Sequence, residues 1–312
     1  MKVYRKIEEI IPLQNAVAAT GTFDGIHKGH QFIISHMKQR ALELNGQSVI
    51  ITFNTHPQIV LHPSEKNLFI LNTETEKIQL LKKMGIDHLI IIPFTPEFAS
   101  TSYTAFVKNI LVEKLNVRRL IMGYDHHFGK NRSGSFQHLS DFGKMFHFET
   151  EKLNAQKVDD IEISSTKIRK ALLSGNIILA NSYLGYEYFL IGKVVQGNRI
   201  GQTIGFPTAN IETEDPYKLI PANGVYVVNV EYKGEIFGGM INIGSRPTIG
   251  NDKKTIEVHI FNFEKDIYSE YLNVIFVERL RDEIKFPGIQ ELKVQLEKDM
   301  KNTLAILSKN SK

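Results

Sequence analysis

The sequence contains no cysteine. Disulfides, thiolate metal sites and cysteine nucleophiles are thereby excluded, and a reducing compartment is permitted. Long apolar runs are lacking too: the best, "HLIIIPF" at 88–94, falls far short of the roughly 20 residues that cross a bilayer. The opening "MKVYRKIEEIIPL" has no extended apolar stretch of the kind a secretory signal needs. The expectation is a soluble cytoplasmic protein with no membrane partner. Charge is nearly balanced, with 38 basic against 34 acidic residues. A net +4 so dispersed is too mild to argue by itself for a nucleic-acid surface. No Gly-x-x-x-x-Gly-Lys-Ser/Thr occurs, so a Walker-type phosphate cradle is absent.

What is present is a globular composition, 42% hydrophobic and 23% charged, over 312 residues. That length predicts two cores. Up to residue 184, short β-branched runs alternate with longer amphipathic segments, the pattern of βα units around a parallel sheet. "NAVAAT" reads as a first strand and His30 to Leu44 as its helix, stopping at Asn45-Gly46. "SVIITF", "HLIIIP" and "RRLIMG" read as further strands. "TETEKIQLLKKMG" carries Thr73 and Glu76 at capping-box spacing, and helices are expected over Tyr103–Leu115, Ser164–Leu173 and Ile177–Leu184. From 185 to 312 strands follow one another closely, with a hairpin at Lys233-Gly234. Apolar residues at Leu292, Leu296, Met300 and Leu304 predict a terminal helix packed on this β unit. There are no internal repeats, and nothing in the sequence indicates an oligomeric state.

Two stretches carry chemistry. "ATGTFDGIHKGHQFII" at 19–34 places a glycine turn between strand and helix, where backbone N–H groups and a helix N-terminus attract anions. His27 and His30, three apart with Gly29 between them, can face one bound group and donate hydrogen bonds to phosphate oxygens. A histidine pair alone would more often be an ordinary helix-start and surface pair, and Asp24, His27 and His30 as metal ligands lack a fourth partner. "EISSTKIRKALLSGN" supplies Ser164, Ser165 and Thr166 at a second helix start, with Arg169 one turn in. Two such helix ends suggest a triphosphate.

The other stretch, "GKVVQGNRIGQTIGFPTANI", gathers glycines around a polar loop that ends in Thr208 and Asn210. Two residues apart on a strand, these offer a hydroxyl and an amide carbonyl on one face, both suited to Mg²⁺ and its phosphates. The plain alternative is a glycine-rich turn with a polar strand end.

Gly-Thr-Phe-Asp-Gly-x-His-x-Gly-His with a downstream Ile-Ser-Ser-Thr-x-Ile-Arg resembles the adenylyltransferase half of the bifunctional riboflavin kinase/FMN adenylyltransferase (FAD synthetase) family. "TFNTHP" at 52–57 and "GYDHHFGKNRSG" at 123–134 extend the resemblance, although His126 stands where the family more usually has an aromatic residue. "GFPTANI", "NIGSRPT" at 242–248, "EVHIFNF" at 257–263 and "RLRDEIKFPGIQEL" at 279–292 resemble the riboflavin kinase half. The resemblance implies a Rossmann-like α/β nucleotidyltransferase domain over 1–184, then an all-β riboflavin-kinase barrel with a C-terminal helix over 185–312. It implies that riboflavin, FMN and ATP are substrates, Mg²⁺ the cofactor, and nucleic acid no partner. By it His27, His30 and Glu257 are catalytic, Glu257 as the base at the ribityl 5′-hydroxyl. Gly21, Phe23, Asp24, Gly29, Ser164, Ser165, Thr166, Arg169, Gly201, Gly205, Thr208 and Asn210 bind ATP, the last two with Mg²⁺. Asp125, Arg281 and Phe286 are expected on the flavin side.

Two rivals remain at this point. One is a His-x-Gly-His nucleotidyltransferase with another phosphate acceptor, which would have no need of the Pro-Thr-Ala-Asn element. The other is an RNA-binding protein with a synthetase-like domain, which would want a Lys-Met-Ser-Lys-Ser-type loop; none occurs.

Overall fold

The computed structural model describes residues 1–64, 68–123, 136–154, 157–158, 161–197, 200–248 and 251–310. Contacts within the chain divide it into two units, Met1–Ser165 and Thr166–Lys312.

The first unit is built on six strands, β1 (Lys2–Tyr4), β2 (Ala16–Thr20), β3 (Ser48–Phe53), β4 (His88–Ile92), β5 (Val117–Met122) and β6 (Glu149–Lys152). They pair in the order β1-β4-β3-β2-β5-β6, and every pairing is parallel. The central strands read as unbroken apolar runs because both faces are covered. Ala16, Ala18, Val49 and Ile51 enter one core, while Val17, Ala19 and Ile50 enter the other. Helices α1 (Lys28–Glu43) and α3 (Glu74–Lys83) contribute to the second core through Ile34, Met37, Ala41 and Leu81. Between them lies the short α2 (Pro57–Leu61). The chain leaves β2 for β3 on one side and later returns to β5 on the other. The order therefore reverses beside β2, and the crevice at the C-terminal ends of β2 and β5 is where such sheets bind ligands.

Most expected elements are present within a residue or two, and the Thr73–Glu76 capping box forms in both directions. Three features differ. The edge strands β1 and β6 are new: Lys2 N–H donates to the Asp87 carbonyl (2.7 Å), which docks the N-terminus on β4. After α4 (Pro96–Ala99), the expected helix 103–115 is α-helical only as α5 (Tyr103–Phe106). Over Val107–Val112 it widens to π geometry, with Glu113 N–H donating to Lys108 and Leu115 N–H to Ile110. The extra residue per turn returns Leu115 to the face of Ile110, and both are buried. Next come α6 (Phe136–Phe146) and the small antiparallel pair β7 (Lys157–Val158) and β8 (Ile161–Glu162).

The second unit is a closed antiparallel barrel of β9 (Phe189–Val195), β10 (Ala209–Thr213), β11 (Gly224–Tyr232), β12 (Glu235–Thr248), β13 (Asn251–Ile260) and β14 (Tyr271–Arg281). The order is β10-β13-β12-β11-β14-β9, with β9 pairing back to β10. The short α9 (Ile200–Thr203) sits between β9 and β10. Helix α10 (Ile289–Asn310) lays Leu296, Met300 and Leu307 on Phe206, Met240 and Phe261.

Helices α7 (Ser165–Leu173) and α8 (Ile177–Leu184) group with the barrel, whereas 184 is the division expected from the rhythm of the sequence. Hydrogen bonds supply the reason. Ala222 N–H donates to the Leu172 carbonyl (3.0 Å), and Asn181 Nδ2 to the Phe276 carbonyl (3.0 Å). Asn181 Oδ1 also accepts from Tyr188 N–H at 2.8 Å. Among the described residues no helix is long and apolar enough to cross a membrane.

Candidate active sites

In the first unit the glycine turn leaves β2 with Gly21 N–H donating to the Ile51 carbonyl (3.0 Å). It then takes left-handed backbone angles at three residues, Phe23 (φ 46°), Gly25 (φ 86°) and Ile26 (φ 36°). For a β-branched residue such as Ile26 this is a true outlier, with a cost of about 1–3 kcal/mol. Burial offsets it: Phe23 and Ile26 are both packed into the core beside α1. The strained path carries the chain sharply from strand end to helix start, where His27 caps α1 and His30 lies in its first turn.

The two imidazoles stack, with centroids 3.8 Å apart and planes 18° from parallel, and Phe23 lies 5.1 Å from His30. Burial, reinforced by His27 and then Lys77, holds the His30 pKa well below its usual value. Its Nδ1 is buried without a hydrogen-bond partner among the described residues. His30 is thus held in its neutral form beside the ring of His27.

Gly29 lies against His27, where an added Cβ would be 3.1 Å from the ring's Nδ1 and Cε1. Gly29→Ala is expected to press the His27 ring aside by a few tenths of an ångström. The adenylyl transfer that the resemblance implies should fall at least tenfold with little change in thermal stability, as turnover and melting curves on the same preparation would show.

Asp24 is buried, and its carboxylate accepts from Leu71 N–H (2.8 Å) and Asn72 N–H (3.3 Å). Its carbonyl accepts from Ser165 Oγ at 2.8 Å, a bond within the first unit. Ser164 immediately precedes α7, and Thr166 and Arg169 follow on it. From "TFNTHP", Thr52 is fully buried and donates to the Thr22 carbonyl (3.0 Å), while His56 caps α2. Asp125, His126 and His127 lie outside the described residues.

Sequence reasoning missed Lys77. It is 8% exposed, and its ammonium donates to the Thr22 carbonyl (2.8 Å), Thr52 Oγ1 (3.3 Å) and the Phe53 carbonyl (3.5 Å). Burial pushes its pKa down to about 8 despite the opposing pull of Asp24 and Glu74. The available signal was its position four residues before Leu81, on the inward stripe of α3.

In the second unit the strand register brings the candidate residues together. Asn210 on β10 is directly opposite Glu257 on β13, and Glu257 is directly opposite Asn242 on β12. Directly paired residues present side chains on one face. Here that face is the reverse of the one buried at Ile211, Val258, Ile241 and Ile243. Thr208 precedes Asn210 by two and is likewise partly exposed. Asn242, the first residue of "NIGSRPT", is a second missed member of the cluster.

The turn before β10 closes with Phe206 N–H donating to the Gly201 carbonyl (2.8 Å), and Gly205 follows α9 by two residues. A Cβ at Gly197 would fall 2.0 Å from Asn210 Nδ2, so a larger residue there would displace the Asn210 side chain. His259 fixes the turn from β13, its Nδ1 donating to the Pro207 carbonyl at 2.7 Å.

Arg281 is bound within the protein. Its guanidinium donates from Nη2 (2.7 Å) and Nε (2.9 Å) to Asp299 Oδ2 on α10 and lies 5.9 Å from the Phe286 ring. Asp299 is almost completely buried and also accepts from Gln295. Removing one partner of such a pair strands the other charge. Asp299→Ala is expected to lower the unfolding free energy by about 3–5 kcal/mol in urea titration.

Comparison with known proteins also finds two parts. A family model described as FAD synthetase matches residues 10–167, and one described as riboflavin kinase matches 184–307. The bifunctional riboflavin kinase/FMN adenylyltransferase of Haemophilus influenzae is 38% identical over 297 residues, covering 95% of this chain and 96% of its own. That of Listeria monocytogenes is also 38% identical, covering 95% and 93%. Among solved structures, one described as a macrolide-efflux protein from Streptococcus pneumoniae superposes with a TM-score of 0.87 at 32% identity. It covers 97% of this chain and 98% of its own.

Proposed function

The chain belongs to the family of bifunctional riboflavin kinase/FMN adenylyltransferases, and from that membership we propose how its two halves share the work. The protein phosphorylates riboflavin to FMN and joins FMN to AMP, making FAD. We assign the first step to residues 185–312 and the second to 1–184. The observation that carries this division is that the stacked His27–His30 pair and the paired Asn210 and Glu257 belong to different contact units.

In the adenylyl step an FMN phosphate oxygen attacks the α-phosphorus of ATP. The bond to the bridging oxygen of the β-phosphate breaks, and pyrophosphate leaves. His27 and His30 donate hydrogen bonds to the oxygens on which charge accumulates. Gly21, Phe23, Asp24 and Gly29 shape the turn around the nucleotide, and Ser164, Ser165, Thr166 and Arg169 bind its triphosphate. Asp125 orients the flavin substrate.

In the kinase step the ribityl 5′-hydroxyl attacks the γ-phosphorus, its proton passes to Glu257, and ADP departs. Gly201 and Gly205 form the turn over the phosphates. Thr208 and Asn210 offer a hydroxyl and a carbonyl oxygen on one face, the hard oxygen donors that suit Mg²⁺, and they would hold the ion with ATP. Bound there, Mg²⁺ supplies charge neutralisation for the phosphates. Phe286 and Arg281 stand on the flavin side, the ring against the substrate and the guanidinium anchored behind it by Asp299. With ATP and flavin as its substrates and no cysteine to oxidise, we place the protein in the cytoplasm.

Incubation with riboflavin, ATP and Mg²⁺, followed by chromatography and mass, tests the whole scheme. FMN should appear first and FAD after it; failure to form either would reject the assignment.

A further inference from the structure

We propose that Lys77 is a positioning residue of the adenylyl-transfer site: its ammonium ties the glycine turn after β2 to the end of β3 and so sets where His27 and His30 are presented. The turn is held at two points from the same direction. At Thr22, the residue before the left-handed Phe23, the carbonyl accepts both Lys77 Nζ (2.8 Å) and Thr52 Oγ1 (3.0 Å). At Asp24 the carboxylate accepts the Leu71 and Asn72 amides just ahead of α3. Lys77 also donates to Thr52 Oγ1 and more distantly to the Phe53 carbonyl, so one cation bridges two strand ends. Helix α3 is a firm base for this, because its capping pair Thr73 and Glu76 is itself buried.

An apolar side chain would fill the same space without the cost of burying an ammonium. What the ammonium adds is a tie across the stretch of backbone least able to hold its own shape. It also acts on the histidines through charge. The ionisable groups that interact with it are Asp24 on the turn, Glu74 on its own helix and His30 on α1, and His30 in turn faces His27. Lys77 is one of the causes that hold His30 below its usual pKa, so its loss should raise the pH at which His30 titrates. A merely structural filler would leave that titration where it is.

The inference rests on the reading of His27 and His30 as transfer residues, and the experiment separates the two. In the full chain, Lys77→Met and Lys77→Arg are compared for FMN adenylylation, riboflavin phosphorylation and the NMR titration of the His30 ring. Lys77→Met should lower the turnover of FAD formation at least tenfold, leave FMN formation within twofold, and shift the His30 titration to higher pH. Lys77→Arg, which keeps the charge and the donors, should recover most of the turnover and leave the titration in place. Wild-type FAD formation by Lys77→Met, or a loss that arginine does not rescue and that leaves His30 unmoved, overturns the proposal. If Lys77→Met does not accumulate as folded protein, Thr52→Val removes the neighbouring hydroxyl from the same tie. A fall in adenylylation alone supports the proposal, and an unchanged rate rejects it. His30→Ala run in parallel reports on the underlying reading: retained FAD formation there defeats the assignment of the histidines whatever Lys77 does.

Discussion

His30→Ala is expected to cut FAD formation from FMN and ATP by about a hundredfold to a thousandfold, the usual consequence of removing one donor aimed at developing charge. Riboflavin phosphorylation by the same preparation should be unchanged. The stacked ring of His27 lies 3.8 Å away, and burial keeps His30 neutral in the free enzyme at pH 7. A neutral imidazole at position 30 donates through one nitrogen only, and alanine removes that donor outright. The loss should appear in kcat more than in the apparent affinity for ATP, since the contact strengthens as charge moves onto the leaving pyrophosphate. Steady-state rates for both half-reactions measure this directly. Equal loss of the two activities in a folded variant would defeat the division of labour.

Glu257→Gln should do the reverse. FMN formation is expected to fall by about 10²–10⁴-fold, the range typical of a removed general base, while FMN supplied from outside is still converted to FAD. Glutamine keeps the shape and the cross-strand partners Asn210 and Asn242 but cannot accept the hydroxyl proton. Binding of riboflavin and ATP should survive, so the defect belongs in kcat. A variant that still phosphorylates riboflavin at the wild-type rate would show that Glu257 is only a strand residue on a solvent-facing side.

How much of this was legible in the sequence depends on how local the signal was. Strands β2 to β5 announced themselves as apolar runs, and the α3 capping box and the Lys233–Gly234 hairpin formed where short-range chemistry put them. The pairing of Asn210 with Glu257 was legible only through the motifs, because nothing in 46 residues of intervening sequence fixes which strands become neighbours. Edge strands β1 and β6 were missed for a related reason: at three and four residues they are too short to show a period, and they exist because β4 and β5 offer them a template. Lys77 went unnoticed because its acceptors, the carbonyls of residues 22 and 53 and the Thr52 hydroxyl, are distant in sequence. The bond between Arg281 and Asp299 depends on where α10 docks, which no spacing rule supplies. The left-handed turn at Phe23 and Ile26 was equally silent. Those residue types argue against such angles, and only the surrounding core makes them tolerable.

The closed barrel has a consequence for the order in which the chain becomes complete. All six strands of the first sheet have been synthesised once Lys152 has been added, well before the chain ends. The barrel cannot close until β14 exists, because β14 pairs both with β11 and with the distant β9, residues 271–275 against 189–193. A nascent chain therefore passes through a stage at which one half has every strand it needs while β9 still offers an open edge toward its missing neighbour. Growth from the ribosome reaches the part that consumes FMN first, and the part that makes it last.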